Sequence, residues 1–398
     1  MDYMRKPYFC KLVCAIVLLW NHPVVAGDVI QPYISGSMTH DSNLFRLSED
    51  RVPATSDTVI NRLEAGVKVD YPFGRQQLLL KGSVNSNKFE RYEYLNYEGH
   101  DWQSVWNWQV GNLWQGNLGY TRSQTLASFA ETQVTTTGDV RTQQALFANA
   151  NYRLHPDWRL HWGGRWQDLK AGSSATRYLN REETSGVFGV DYLTPGNNSI
   201  GVQGQFIEAR FPEREITAAN SLGNGYSQIT ISSVADWKYS GNSRFRGSLG
   251  YTQRQYDEFA TRDFNGMTGR LSYDWSLTGK TLLSVAAWRD VGGIDDIIST
   301  FAVTKGTSLD VSWSPTSKIS VTGGVAHKSY EFRGDSGFVL GVVGKREDEI
   351  RSVSASLGYS PLQNVQLSLG GRIEQRDSNR IFIDYDYKLI TASIRVNF

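Results

Sequence analysis

The side chains able to do chemistry are few and scattered. The six histidines are His22, His40, His100, His155, His161 and His327, and no two of them have metal-ligand spacing. Both cysteines, Cys10 and Cys14, sit near the N-terminus. A zinc site would therefore need carboxylates that no motif supplies. Gly334-Asp335-Ser336-Gly337 looks like a serine nucleophile loop, but no His/Asp partner accompanies it, so it reads as a plain turn in an external loop. Neither a Gly-x-Ser-x-Gly elbow nor a phosphate-binding glycine loop occurs. The expectation is a non-enzyme with no metal and no cofactor.

The arginines carry more information, because they recur at alternate positions. Arg159, His161 and Arg165 alternate with Trp158, Leu160, Trp162 and Trp166, and Arg270 alternates with Met267, Leu271, Tyr273 and Trp275. Arg244, Arg246 and Arg254 share one face, as do Arg372 and Glu374. These eight residues (Arg159, His161, Arg165, Arg244, Arg246, Arg254, Arg270 and Arg372) are the candidate pore-lining and polymer-contacting set. Arg62, Glu64, Lys68, Asp70 and Arg395 extend the same wall, with Asp191, Asp236, Asp274 and Asp310 between. An arginine-rich wall can guide an anionic or uronic-acid-bearing polymer through bidentate contacts. Equally, mixed Arg/Asp ladders can pair across strands and keep a wide polar pore hydrated.

The elements that must hold such a wall follow from composition and period. The chain has 398 residues, 41 Lys+Arg against 40 Asp+Glu, and a net charge of +1, which gives no reason to expect a nucleic-acid partner. Mean hydropathy is −0.40, and the longest apolar run, Leu12–Trp20, is less than half of the roughly 20 residues a membrane-spanning helix needs. Preceded by Arg5, Lys6 and Lys11 and followed by Val24-Val25-Ala26, that run reads as the core of a signal peptide over residues 1–26. Residues 27–398 then contain no cysteine, so an exported chain must be held by something other than disulfides.

From Val29 onward the recurring pattern is period-two alternation in segments of about 10 to 16 residues, without capped helical stretches. Val353, Ala355, Leu357 and Tyr359 alternate with Ser352, Ser354 and Ser356. Short connections are expected at 72–75, 114–117, 155–157, 195–198, 241–243, 278–280, 315–317 and 361–364. Mostly longer polar links alternate with them, near 42–57, 86–96, 123–139, 170–183, 212–224, 290–299 and 333–345. Short turns at one end and long loops at the other are the asymmetry of an outer-membrane barrel. Tyrosine and tryptophan cluster at strand ends, as in interfacial girdles, and the opposite face is too polar for a dry core.

The fold expected is all-β: a transmembrane antiparallel barrel of about 18 strands, with short periplasmic turns and longer extracellular loops, over residues 27–398. The alternating Ile390, Ala392, Ile394, Val396 and Phe398 resemble the terminal assembly signal of Gram-negative outer-membrane barrels. A lumen of 18 strands is too wide for side chains to fill. The loop at 123–139 is the candidate to fold inward as a constriction.

Short strings along the chain add a resemblance. They run from Asp41-Ser42-Asn43-Leu44-Phe45 and Ser56-Asp57 through Gly74-Arg75-Gln76, Trp106-Asn107-Trp108, Ser128-Phe129 and Tyr152-Arg153-Leu154 with Trp158. Gly196-Asn197, Phe264-Asn265-Gly266 with Gly269, and Ser314-Pro315-Thr316-Ser317 follow in order. In this order they resemble the EpsL-type outer-membrane β-barrel proteins of exosortase-associated exopolysaccharide operons. The resemblance implies export of an extracellular polysaccharide through a passive polar conduit in the Gram-negative outer membrane. Its implied partners are the exopolysaccharide, outer-membrane lipid and periplasmic or inner-membrane polysaccharide export proteins. It carries over no catalytic residue. The alternative function is a general or substrate-selective diffusion porin for small solutes.

Overall fold

The computed structural model describes residues 29–49, 56–130, 137–214, 224–257, 260–293, 301–333 and 345–398. The expected signal peptide and the Gly334–Gly337 turn lie outside these residues. Eighteen strands run in chain order. The first nine are β1 (Ile30–Asp41), β2 (Thr58–Phe73), β3 (Gln76–Phe89), β4 (Tyr97–Val110), β5 (Trp114–Leu126), β6 (Val140–His155), β7 (Trp158–Lys170), β8 (Arg181–Leu193) and β9 (Ser199–Arg210). The second nine are β10 (Gly225–Ser240), β11 (Ser243–Tyr256), β12 (Phe264–Thr278), β13 (Thr281–Gly293), β14 (Phe301–Trp313), β15 (Ile319–Arg333), β16 (Glu347–Leu362), β17 (Val365–Ser378) and β18 (Tyr385–Asn397). Each pairs antiparallel with its sequence neighbours, and β1 pairs with β18, so the sheet closes on itself. Closure runs from Tyr33 opposite Asn397 to Asp41 opposite Leu389, and the Phe398 amide donates to the Pro32 carbonyl at 2.8 Å.

The alternation decides which face meets lipid. On β12, Met267, Leu271, Tyr273, Trp275 and Leu277 are exposed on the outside, and Thr268, Arg270, Ser272 and Asp274 turn inward. Trp158, Tyr192, Phe245, Trp275, Trp313 and Tyr359 are exposed near the short-turn end, where an aromatic girdle sits at a membrane interface. Helical structure among the described residues amounts to 3₁₀ turns at Glu93–Leu95, Ser174–Leu179 and Ala260–Arg262, with Glu49 also in 3₁₀ conformation.

One expected turn moves. Residues 114–117 open β5, and the connection from β4 is 111–113. Gly111 supplies the left-handed residue that this turn requires, at φ +58°, as Gly74 does between β2 and β3 at φ +62°. Trp114, freed from the turn, takes its place among the exposed aromatics of the girdle and stacks against Tyr152 at 4.5 Å.

Closure is testable by a cross-link. Ser37 and Ser393 oppose each other across the β1–β18 seam. A Ser37→Cys/Ser393→Cys double variant is expected to form a disulfide on mild oxidation, seen as a mobility change on a non-reducing gel, because directly opposed strand positions meet the Cα spacing a disulfide needs. The control pair Ser37→Cys/Ser232→Cys, with its second site on β10, should remain unlinked.

Candidate functional site

The strand register turns the period-two pattern into a wall of ion pairs. Arg159 lies directly opposite Asp191 and donates to it at 2.8–2.9 Å. His161, on the same face, contacts the same carboxylate through Nδ1 at 2.9 Å and Gln203 through Nε2 at 3.3 Å. Arg244 donates to Asp236 at 2.7 Å, Arg246 pairs with Asp274, and Ser284 donates to Asp274 at 2.7 Å. Arg372 pairs with Glu374, and Arg62 with Glu64, which also accepts from the Tyr33 hydroxyl at 2.7 Å. The Arg246 side chain is still 50 % exposed and that of Arg244 43 %. A wall this wet surrounds open water, so these pairs contribute little to stability and keep the arginines available to solutes.

Three of the eight candidates stand apart. Arg254 faces inward by register but is only 2 % exposed: it stacks over Tyr226 at 4.1 Å and donates to Gln228 at 2.9 Å and to the Val291 carbonyl at 3.1 Å. It holds together an apolar cluster of Phe211, Tyr226, Tyr256, Phe264, Phe301 and Val303, and so is a structural residue rather than a lumen contact. Arg165 donates only to Gln167, at 3.2 Å, and Arg270 lies 4.9 Å from the Trp288 ring. Neither has a carboxylate at ion-pair distance among the described residues.

The residue-type reading missed part of the wall. Lys81, which was not among the expected residues, sits opposite Lys68, and the expected Arg395 covers the Tyr33 ring at 3.7 Å. Asn85, Asn87 and Asp101 continue this side, with Asn87 donating to Asn85 at 2.6 Å and Asn85 to Asp101 at 3.3 Å. The signal was present in β3, where Gln77, Lys81, Ser83, Asn85 and Asn87 alternate with Leu78, Leu80 and Val84. Trp288 also faces the lumen, although tryptophan elsewhere in the chain marks the lipid side.

At the long-loop end the mouth is narrowed by chain. Phe45, from the β1–β2 connection, packs edge-on against Tyr92 at 4.7 Å and Phe129 at 4.9 Å, within a cluster that includes Leu44, Phe89 and Leu95. The adjoining Ala130 carbonyl accepts from Arg376 of β17 at 2.9 Å. Strands β18, β1, β2, β3 and β4 lie between β17 and β5, so residues 127–130 reach across the opening rather than away from it. Arg376 is anchored in turn by Asp348, which also pairs with Arg346 at 2.9 Å and is fully buried. The described part of the 123–139 loop thus folds inward; residues 131–136 lie outside the described set.

The far end of that loop is fixed by Asp139. Its carboxylate accepts from the Gly172 and Ser173 amides at 2.7 and 3.1 Å, from Thr176 at 2.8 Å and from Arg141 at 2.9 Å. Burial opposes ionisation, but these hydrogen bonds outweigh it and hold the carboxyl below its ordinary range.

Comparisons with known proteins agree with this architecture. A family model described as "Putative beta-barrel porin 2" matches residues 244–398. The OccK2 (OpdF) structure from Pseudomonas aeruginosa aligns at a TM-score of 0.50 and 10 % identity, covering 93 % of this chain and 98 % of that one. The chain is a porin-like β-barrel. Outer membrane protein opdK of the same organism aligns at 0.49 and 10 % identity, and a BenF-like porin from Pseudomonas fluorescens Pf-5 at 0.49 and 9 %, each over 93 % of this chain and 99 % of the other. At such identities the likeness is one of fold. No curated protein sequence gives a significant match.

Because the folded pKa of Asp139 is depressed, its contribution is present above the unfolded carboxylate pKa and is lost as pH falls through the folded value. Proteolytic nicking of residues 172–179 is expected to stay low through the ordinary carboxylate range and rise only at more acid pH. An Asp139→Asn variant should be nicked at neutral pH; equal nicking of variant and parent there would remove Asp139 from this role.

Proposed function

We propose that the chain is a passive, water-filled channel of the Gram-negative outer membrane that admits polar solutes and favours anions. The observation that carries this reading is the surplus of unmatched cations on a hydrated wall. Lys68, Lys81, Arg165, Arg270 and Arg395 lack a carboxylate at ion-pair distance, against Asp70, Asp290 and Asp310 lacking a cation, among the described residues. Like charges spaced along a wet pore raise the local concentration of counter-ions without holding any one of them tightly. Loop residues 127–130 across the mouth restrict size, which favours a selective channel over a general one. On this reading residues 1–26 are the leader that directs export, and the barrel has no chemical step to perform.

Export of an exopolysaccharide, with periplasmic or inner-membrane partners, is supported by the EpsL-type resemblance alone. The wall described above suits small solutes as well as a polymer, and the sequence carries no phosphate-binding glycine loop that could drive transport.

Planar-bilayer recording tests the channel. The purified protein should give steady conductance, and Lys68→Gln/Lys81→Gln should lower the anion-to-cation permeability ratio. Two unit charges about 10 Å from a permeating ion in water are worth roughly 0.8 kcal/mol, or about fourfold. An unchanged ratio would sink the anion preference. Separately, a deletion strain assayed for polymer in culture fluid and periplasm decides the second reading: normal secretion removes it.

A further inference from the structure

Among the lumen arginines that lack a carboxylate at ion-pair distance in the described residues, Arg165 and Arg270 share a neighbour of one kind. Each stands beside an inward-facing aromatic ring laid flat over a glycine. Phe147 lies opposite Arg165 on one side and opposite Gly119 on the other, and a methyl group placed on Gly119 would stand 2.2 Å from the ring. Trp288 lies opposite Arg270 on one side and Gly306 on the other, and a methyl group on Gly306 would stand 2.3 Å from its ring. Two sites far apart around the wall therefore repeat one arrangement: glycine floor, aromatic plate, free guanidinium.

The floor glycines let the rings lie against the backbone instead of projecting, so each plate turns its other side toward the channel water. An aromatic face is apolar with a negative quadrupole, and suits the C–H face of a sugar ring. A guanidinium opposite Phe147, and one over Trp288 at 4.9 Å, each offers two parallel donors to a carboxylate. Side-chain amides complete the first site, with Gln167 bonded to Arg165 and Asn149 two positions along from Phe147. The arginines Arg159, Arg244, Arg246 and Arg372 already face carboxylates at ion-pair distance, whereas Arg165 and Arg270 do not. We infer that Phe147–Arg165 and Trp288–Arg270 are subsites for acidic sugars, each taking one pyranose ring on the aromatic plate and its carboxylate on the arginine. Asp290, two positions along from Trp288 on the same face, repels an anion and makes the second subsite the weaker of the two.

This assignment rests on the channel reading for its physiological use, but binding can be measured without it. Titration calorimetry on the detergent-solubilised barrel, with galacturonate, galactose and acetate as probes, separates ring and charge contributions. Galacturonate is expected to bind at least about tenfold more tightly than either of the other two. Arg165→Gln and Phe147→Leu should each weaken it about tenfold, and Trp288→Leu by less. Heat-dependent gel mobility identifies any variant that fails to fold, and Arg165→Lys, which keeps the charge but loses the fork, should fall between parent and Arg165→Gln. Equal binding of acetate and galacturonate, or folded Arg165→Gln and Phe147→Leu variants that bind as the parent does, would overturn the subsites. Bilayer current recorded in parallel separates the two ideas. Normal conductance without galacturonate preference retires the subsites alone, and galacturonate binding without conductance retires the channel alone.

Discussion

Everything in this molecule depends on leaving no strand edge open to lipid. A backbone amide or carbonyl without a partner in hydrocarbon costs several kcal/mol, so a sheet can cross a bilayer only if it closes. Here the seam is the β1–β18 pair, nine residues deep from Tyr33–Asn397 to Asp41–Leu389. Once that pairing exists, the face each side chain meets is fixed by parity. Leu271 and Trp275 meet lipid because Arg270 and Asp274 meet water, and a one-residue slip would exchange them.

Closure also creates two electrostatic regimes. Toward the short-turn end of the lumen, charged side chains such as Arg246 remain half exposed, and water screens their pairs. At the mouth, Arg376 and Asp348 are almost wholly buried. There, removal of either partner leaves a charge without water or counter-ion, a far larger penalty than the loss of an exposed pair. The same residue types therefore serve opposite purposes: structural fastening at the mouth, where Arg376 holds the Ala130 carbonyl, and a fluid coating in the lumen. Arg254 belongs to the first group although its parity assigns it to the wall.

The likeness to solved porins is one of fold. At about a tenth identity the aligned structure shares strand architecture. A barrel of this width is too wide for side chains to fill, and on the channel reading proposed above the charges on its wall and the chain drawn across its opening decide what passes.

Much of this was legible in the residues alone, because a strand exposed to lipid on one side and water on the other must alternate. Segments such as 267–277 and 353–359 declared their faces, and the alternation of short and long links gave the strand number and the two ends. Local details were weaker: the turn expected at 114–117 lies at 111–113, where Gly111 supplies the left-handed residue. The sequence by itself determined the barrel, its two faces and the inward position of Arg159, His161, Arg165, Arg244, Arg246, Arg270 and Arg372. Only the tertiary structure decided which of those arginines are matched, that Arg254 is buried, that Trp288 faces water, and that residues 127–130 are fastened to Arg376. Period two is a local property that any window of chain displays. Pairing and burial at the mouth join residues as much as 346 positions apart, and such contacts exist only after the sheet has closed.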